Sequence, residues 1–133
     1  MIVVDTSAWV ELLRATGSPV HLRLQRALRD SEDVCVTEVV LAEVLAGALD
    51  ERRVEELRNT LLGFTLLPLE GLDAFERAAG LYRACRAAGE TLRGIADCLV
   101  AVPAIAAGAP VLHAHRDFGK LARHSALELV AVE

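Results

Sequence analysis

Five short apolar runs recur along the chain at intervals filled by helical patterns, and that alternation constrains the fold more than any other feature. The runs are MIVV (1–4), VCV (34–36), FTLL (64–67), VLH (111–113) and LELVAV (127–132), and each reads as a strand. Between them, helical patterns occupy 6–14, 19–30, 38–49, 51–62, 73–87, 95–107 and 117–123. In the fifth helix Phe75, Ala78, Ala79, Tyr82 and Cys85 form one apolar stripe, opened by the box-like Asp73-x-x-Glu76. Strands alternating with helices predict an α/β fold: a doubly wound, mostly parallel five-stranded sheet with helices on both faces. No repeat, low-complexity tract or linker divides the chain, so one domain over 1–133 is expected. In such sheets ligands bind beyond the carboxyl ends of the strands, and side chains at those ends are the ones to inspect.

Composition narrows the setting. Hydrophobic residues make up 53% of the chain and aromatics only 4%, so the core is built from Leu, Val and Ala, as suits helices packed on a parallel sheet. Three cysteines, Cys35, Cys85 and Cys98, are odd in number and sit in apolar segments. They read as reduced core residues of a cytosolic protein, with neither a disulfide framework nor a zinc site. The chain opens directly on MIVV and reaches Asp5 at once, without a signal peptide. The longest nearly uncharged run, 94–112, is broken by Asp97, Pro103, Gly108 and Pro110 and makes a poor membrane span. A cytoplasmic protein without membrane contact is the expectation. The net charge of −5 speaks against nucleic acid at first sight. Yet all but one of the basic residues are arginine, the better phosphate grip, so net charge neither establishes nor excludes RNA.

Four acids stand at notable places. Glu43 lies in TEVVLAEVLAG (37–47), a helix of apolar and small residues that otherwise looks buried. Thr37 is a fair N-cap and Glu38 suits the first turn, whereas Glu43 has only Val39, Val40, Ala46 and Gly47 one turn away on its face. Asp5 follows the first strand, Asp97 sits within RGIADCLVAV, and Asp117 closes the loop after VLH. Each acid taken singly has an ordinary reading as a cap or first-turn residue. If the strands are parallel, however, Asp5 and Asp117 project from one sheet edge, and the helices over 38–49 and 95–107 can aim Glu43 and Asp97 into the same pocket. Clustered carboxylates repel unless a cation compensates. Oxygen ligands suit a hard divalent ion, Mg²⁺ or Mn²⁺, which retains waters and meets substrate phosphates. Such a site performs phosphodiester chemistry: one or two ions, about 4 Å apart where there are two, activate water and stabilise the leaving oxygen. Glu43 or Asp97 would position the attacking water.

These segments resemble a known family. Asp5-Thr6-Ser7 after a first strand is similar to the opening of PIN-domain ribonucleases. TEVVLAEVLAG, RGIADCLVAV and VLHAHRDFGKLAR resemble their second, third and fourth acidic motifs. Order and spacing match the VapC toxins of bacterial toxin–antitoxin pairs over nearly the whole chain. The resemblance implies a Mg²⁺- or Mn²⁺-dependent endoribonuclease, a homodimer held inactive by a VapB-type antitoxin. It carries the catalytic quartet to Asp5, Glu43, Asp97 and Asp117, of which Asp5, Asp97 and Asp117 would hold the metal. The family's hydroxyl residue falls on Thr6, with Ser7 beside it.

Two features depart from the family pattern. His115 stands where many relatives have the first acid of D-x-D, while other relatives keep only the acid before the aromatic, the place Asp117 fills. His115 is open to three readings: a metal ligand, an RNA phosphate contact, or an exposed loop histidine, the common fate of a lone histidine. Pro103, inside the helix 95–107, removes an amide donor and predicts a kink two turns beyond Asp97. These departures support an alternative, a catalytically impaired PIN-like binding module that retains antitoxin or RNA binding. Arg93 and Arg116, with Lys120, Arg123 and Arg86, lie near the motifs as candidates for gripping RNA phosphates, though each equally suits a solvated helix face. Trp9, Tyr82 and three Phe are too few for base stacking, so shape and backbone recognition fits better. A phosphoryl-accepting receiver domain fits poorly, because VCV ends in Thr37 and FTLL in Pro68 instead of an acceptor Asp. A haloacid-dehalogenase-type phosphatase lacks its second acid at Ser7.

Overall fold

The structure, a computed structural model, describes residues 1–132. Its sheet has four parallel strands in the order β3-β2-β1-β4: β1 (Ile2–Val4), β2 (Val34–Val36), β3 (Thr65–Leu66) and β4 (Val111–Leu112). β1 lies at the centre, with Val3 opposite Cys35 on one side and opposite Val111 on the other. Every residue of β1, β2 and β4 is buried, which is why their sequences run apolar without alternation. β3 lies at the open edge with both residues exposed.

The fifth expected strand does not form. Of the run 127–132, only Leu129 pairs, through an isolated parallel bridge to Val111. β4 ends after two residues, so the tail has no ladder to extend along, and its Ala131 and Val132 are exposed.

Among the described residues seven helices fill the intervals: α1 (Thr6–Leu13), α2 (Pro19–Arg29), α3 (Glu38–Ala46), α4 (Glu51–Leu61), α5 (Gly71–Ala87), α6 (Ala96–Ala107) and α7 (Asp117–Arg123). Asp5, Ser18, Thr37 and Asp50 cap α1 to α4, each accepting a hydrogen bond from an amide of the first turn. The helices pack as two groups, α1 with α2 and α3, and α3 with α4, against α5, α6 and α7 together. With parallel strands in this order, the right-handed crossover rule predicts these groups on opposite faces of the sheet. α3 and α6 meet, and that contact brings Glu43 towards Asp97.

Two helix details differ from the sequence expectation. The buried stripe of α5 is Ala74, Ala78 and Cys85, while Phe75 is half exposed and Ala79 exposed. Alanines on the inner face let α5 lie close against α6, and the larger ring is left outside. Asp73 pairs with Arg77 at 2.8 Å and forms no cap. Pro103 lies inside α6, which spans Ala96–Ala107 and ends on a left-handed C-cap, Gly108. Pro103 is buried, and Asp97 keeps its place in the first turn. All three cysteines are free and buried, as expected. Among the described residues no helix is long and apolar enough to cross a membrane.

Candidate metal centre

The carboxyl ends of β1 and β4 are where the strand order reverses, the crevice in which open α/β sheets bind ligands. The Asp5 amide donates to the carbonyl of Leu112 at 3.0 Å, locking the two strand ends together. Asp5 Oδ2 accepts from the Ser7 amide (2.9 Å) and the Ser7 hydroxyl (2.6 Å), and that hydroxyl accepts from the Ala114 amide (2.9 Å). Ser7 therefore stitches the loop after β1 to the loop after β4. Its replacement, Ser7→Ala, is expected to cost about 1–2 kcal/mol, read as a lowered urea midpoint at unchanged slope.

Asp5 is only 3% exposed, and its Oδ1 is buried with no hydrogen-bond partner in the protein. An orphaned carboxylate oxygen is costly in a low dielectric unless a cation or ordered water meets it. That oxygen is the test of whether the residues suit a metal, and they do.

Asp97, in the first turn of α6, lines a cleft with Glu43, Arg93, Gly94, Ala96, His115 and Asp117. His115 Nδ1 lies 2.5 Å from Asp97 Oδ2, and its Nε2 lies 3.8 Å from Asp117 Oδ2. Donor atoms of Asp97, His115 and Asp117 all fall within 4.8 Å of one another. Burial pushes the Asp97 carboxyl above the usual carboxylate range; the charge of Asp5 adds to this, and the His115 bond works against it. Asp117 goes the other way. Burial raises its carboxyl, but the Arg93 amide on Oδ2 (2.9 Å) and Lys120 Nζ near Oδ1 (3.2 Å) hold it below the usual range.

Glu43 is an exposed residue and not the buried one that the composition of its helix suggests. α3 buries Val40 and Val44 and turns Ala42, Glu43 and Ala46 outward, so the small alanines of this helix do not mark a buried face. Glu43 accepts a hydrogen bond from Thr6 Oγ1 at 2.7 Å, which ties the start of α1 to α3. Of the candidate phosphate contacts, Arg93 stands on the rim with its side chain exposed, and Arg116 is exposed at the N-cap of α7. Arg123 instead pairs with Glu90, and Arg86 lies over the Tyr82 ring at 6.0 Å.

Two side chains are placed otherwise than their commonest sequence readings. His115 is no exposed loop residue, since its side chain is only 15% exposed, held between two acids. Lys120 is an internal counter-ion, bonding the Thr91 carbonyl at 2.8 Å as well as Asp117. Its i+3 spacing from Asp117 on a helix was the available signal.

The PIN domain model matches residues 2–124, and the chain belongs to the PIN-domain family, among the VapC ribonucleases. It is 42% identical to ribonuclease VapC11 of Mycobacterium tuberculosis over 129 residues, 96% of each chain. In fold it is similar to VapBC2 from Rickettsia felis, bound to a promoter DNA fragment, with a TM-score of 0.73 at 17% identity and all of both chains covered. It is also similar to VapC20 of M. tuberculosis, a sarcin–ricin-loop-cleaving toxin, with a TM-score of 0.65 at 18% identity, covering 90% of this chain and 93% of that one.

Proposed function

We propose that the chain is a VapC-type toxin, a divalent-metal-dependent endoribonuclease acting as one PIN-like domain (1–133) in the cytoplasm. One observation carries this reading: acids from separate elements, Asp97 and Asp117 with His115, place their donor atoms within 4.8 Å at the carboxyl edge of a parallel sheet. Asp5, Asp97 and Asp117 hold Mg²⁺ or Mn²⁺. An ion held there would supply Lewis acidity towards the scissile phosphate and would lower the pKa of water beside it. Glu43, positioned by Thr6, orients the attacking water and takes its proton. Thr6, Ser7, Arg93 and Arg116 face the RNA backbone, the arginines by charge-assisted bonds to phosphate. A VapB-type antitoxin is the neutralising partner, and the toxin itself is a homodimer. The relatives' names, ribonuclease VapC11 and VapBC2, support the nuclease activity and the VapB-type partner.

The test is to incubate antitoxin-free protein with total bacterial RNA, with Mg²⁺, with Mn²⁺ and with chelator. Discrete products that vanish with chelator and in Glu43→Gln are expected. The metal also stabilises the fold by mass action, about 2.7 kcal/mol at a hundredfold excess over Kd, seen as a raised melting temperature. No cleavage combined with no melting shift would leave the binding-module alternative in its place.

A further inference from the structure

His115 is the residue by which this cleft differs from an all-oxygen cation site. Its Nδ1 is engaged by Asp97 Oδ2 at 2.5 Å, and its Nε2 is 3.8 Å from Asp117 Oδ2. An ionised carboxylate only accepts, so in the neutral imidazole the proton sits on Nδ1 and the lone pair on Nε2. A ring held by a carboxylate on one nitrogen, with the other directed at a second acid, is the arrangement that prepares histidine for metal ligation. The carboxylate fixes both tautomer and ring orientation. The phenyl ring of Phe118 stands edge-on to the imidazole with centroids 6.5 Å apart, and the side chain is 15% exposed, so the ring is also confined by packing. A separation of 3.8 Å lies within the span of two donors on one ion whose bonds are each about 2.1 Å.

We propose that His115 Nε2 is an inner-sphere ligand, with Asp117, for the ion of this site, and that the resulting mixed nitrogen–oxygen donor set selects Mn²⁺ over Mg²⁺. Mg²⁺ is hard, favours oxygen and dehydrates reluctantly, whereas imidazole suits transition metals. The role of Asp97 divides accordingly. Its Oδ2 holds the imidazole, and only its other oxygen remains for the ion or its water. This inference rests on the metal-site reading above and adds the identity of one ligand and the preference that follows from it.

The experiment uses the full chain with MnCl₂ and MgCl₂ as probes, without RNA. Pulsed electron paramagnetic resonance of the Mn²⁺-loaded protein should show modulation from a directly bound ¹⁴N nucleus, absent in His115→Asp and His115→Gln. Calorimetry should show the Mn²⁺-to-Mg²⁺ affinity ratio falling about tenfold in His115→Asp, which restores an oxygen donor. Bound Mn²⁺ without nitrogen modulation, or an unchanged ratio in His115→Asp, would overturn the assignment while leaving the metal site intact. No Mn²⁺ binding by the unaltered protein would overturn this inference and the metal-site reading together. Circular dichroism of both variants separates ligand loss from misfolding, because a folded variant that binds Mn²⁺ without the nitrogen signal still reports on the ligand.

Discussion

Asp97→Asn is expected to lower RNA cleavage by about 10²–10³-fold, the scale for deleting one preorganised electrostatic group, and at the same time to raise the melting temperature of the metal-free protein at neutral pH. The two effects share a cause. Burial, with the neighbouring charge of Asp5, lifts the Asp97 carboxyl in the folded state above its unfolded value. Below the unfolded pKa the group is neutral in both states and its burial is tolerated. As pH rises through the folded pKa, charge is forced into the cleft and stability is lost. At pH 7 the metal-free fold therefore carries a strained carboxylate, and an isosteric amide relieves it. Thermal unfolding of both proteins between pH 4 and pH 7 checks the sign: the variant's advantage should shrink towards the acid end. A variant that melts lower than its parent at pH 7 would mean that the His115 bond outweighs the burial. Adding Mn²⁺ should reverse the order, since the parent gains more from the ion than the variant.

Phe118→Ala should cost about 3–5 kcal/mol, the range for truncating a fully buried aromatic, or about 11–18 °C in melting temperature for a chain of this size. Phe118 is the largest of the fully buried side chains. It follows Asp117 directly, and its ring lies 5.1 Å from that of His113 and edge-on to that of His115. Burial lowers the His113 pKa and keeps that imidazole neutral, so its Nδ1 can accept from the His115 amide at 3.2 Å. Removing the phenyl ring undermines the loop 113–117 from below. Cleavage should fall even at temperatures where the variant is folded. A chemical denaturation curve alongside a cleavage assay at 20 °C separates the two losses. A variant destabilised by less than 1 kcal/mol would show that the loop is held by its hydrogen bonds alone.

Much of this fold is legible in the chain. Val, Ile and Cys runs with no polar alternation mean strands buried on both faces, and caps such as Asp5, Ser18, Thr37 and Asp50 mark helix starts by their own chemistry. These are local properties, settled by residues near one another in sequence. The fifth strand was misjudged because pairing depends on a neighbour's length, and β4 stops after two residues. The face of α5 was misjudged by one position. Apolar spacing alone does not distinguish a stripe of alanines that admits close packing from a stripe that includes Phe75.

The acidic positions, too, were determined by the sequence: a carboxylate after β1, one on α3, one opening α6 and one opening α7. Tertiary structure alone decided what each of them touches. It turned Glu43 outward onto Thr6, left one oxygen of Asp5 without a partner, and set His115 between Asp97 and Asp117 with Lys120 behind. The physical reason is reach. A cap or a strand is fixed over a few residues, whereas the pairs Thr6–Glu43, Asp97–His115 and Ser7–Ala114 join groups 37, 18 and 107 positions apart, and only the closing of a parallel sheet brings them within hydrogen-bond distance.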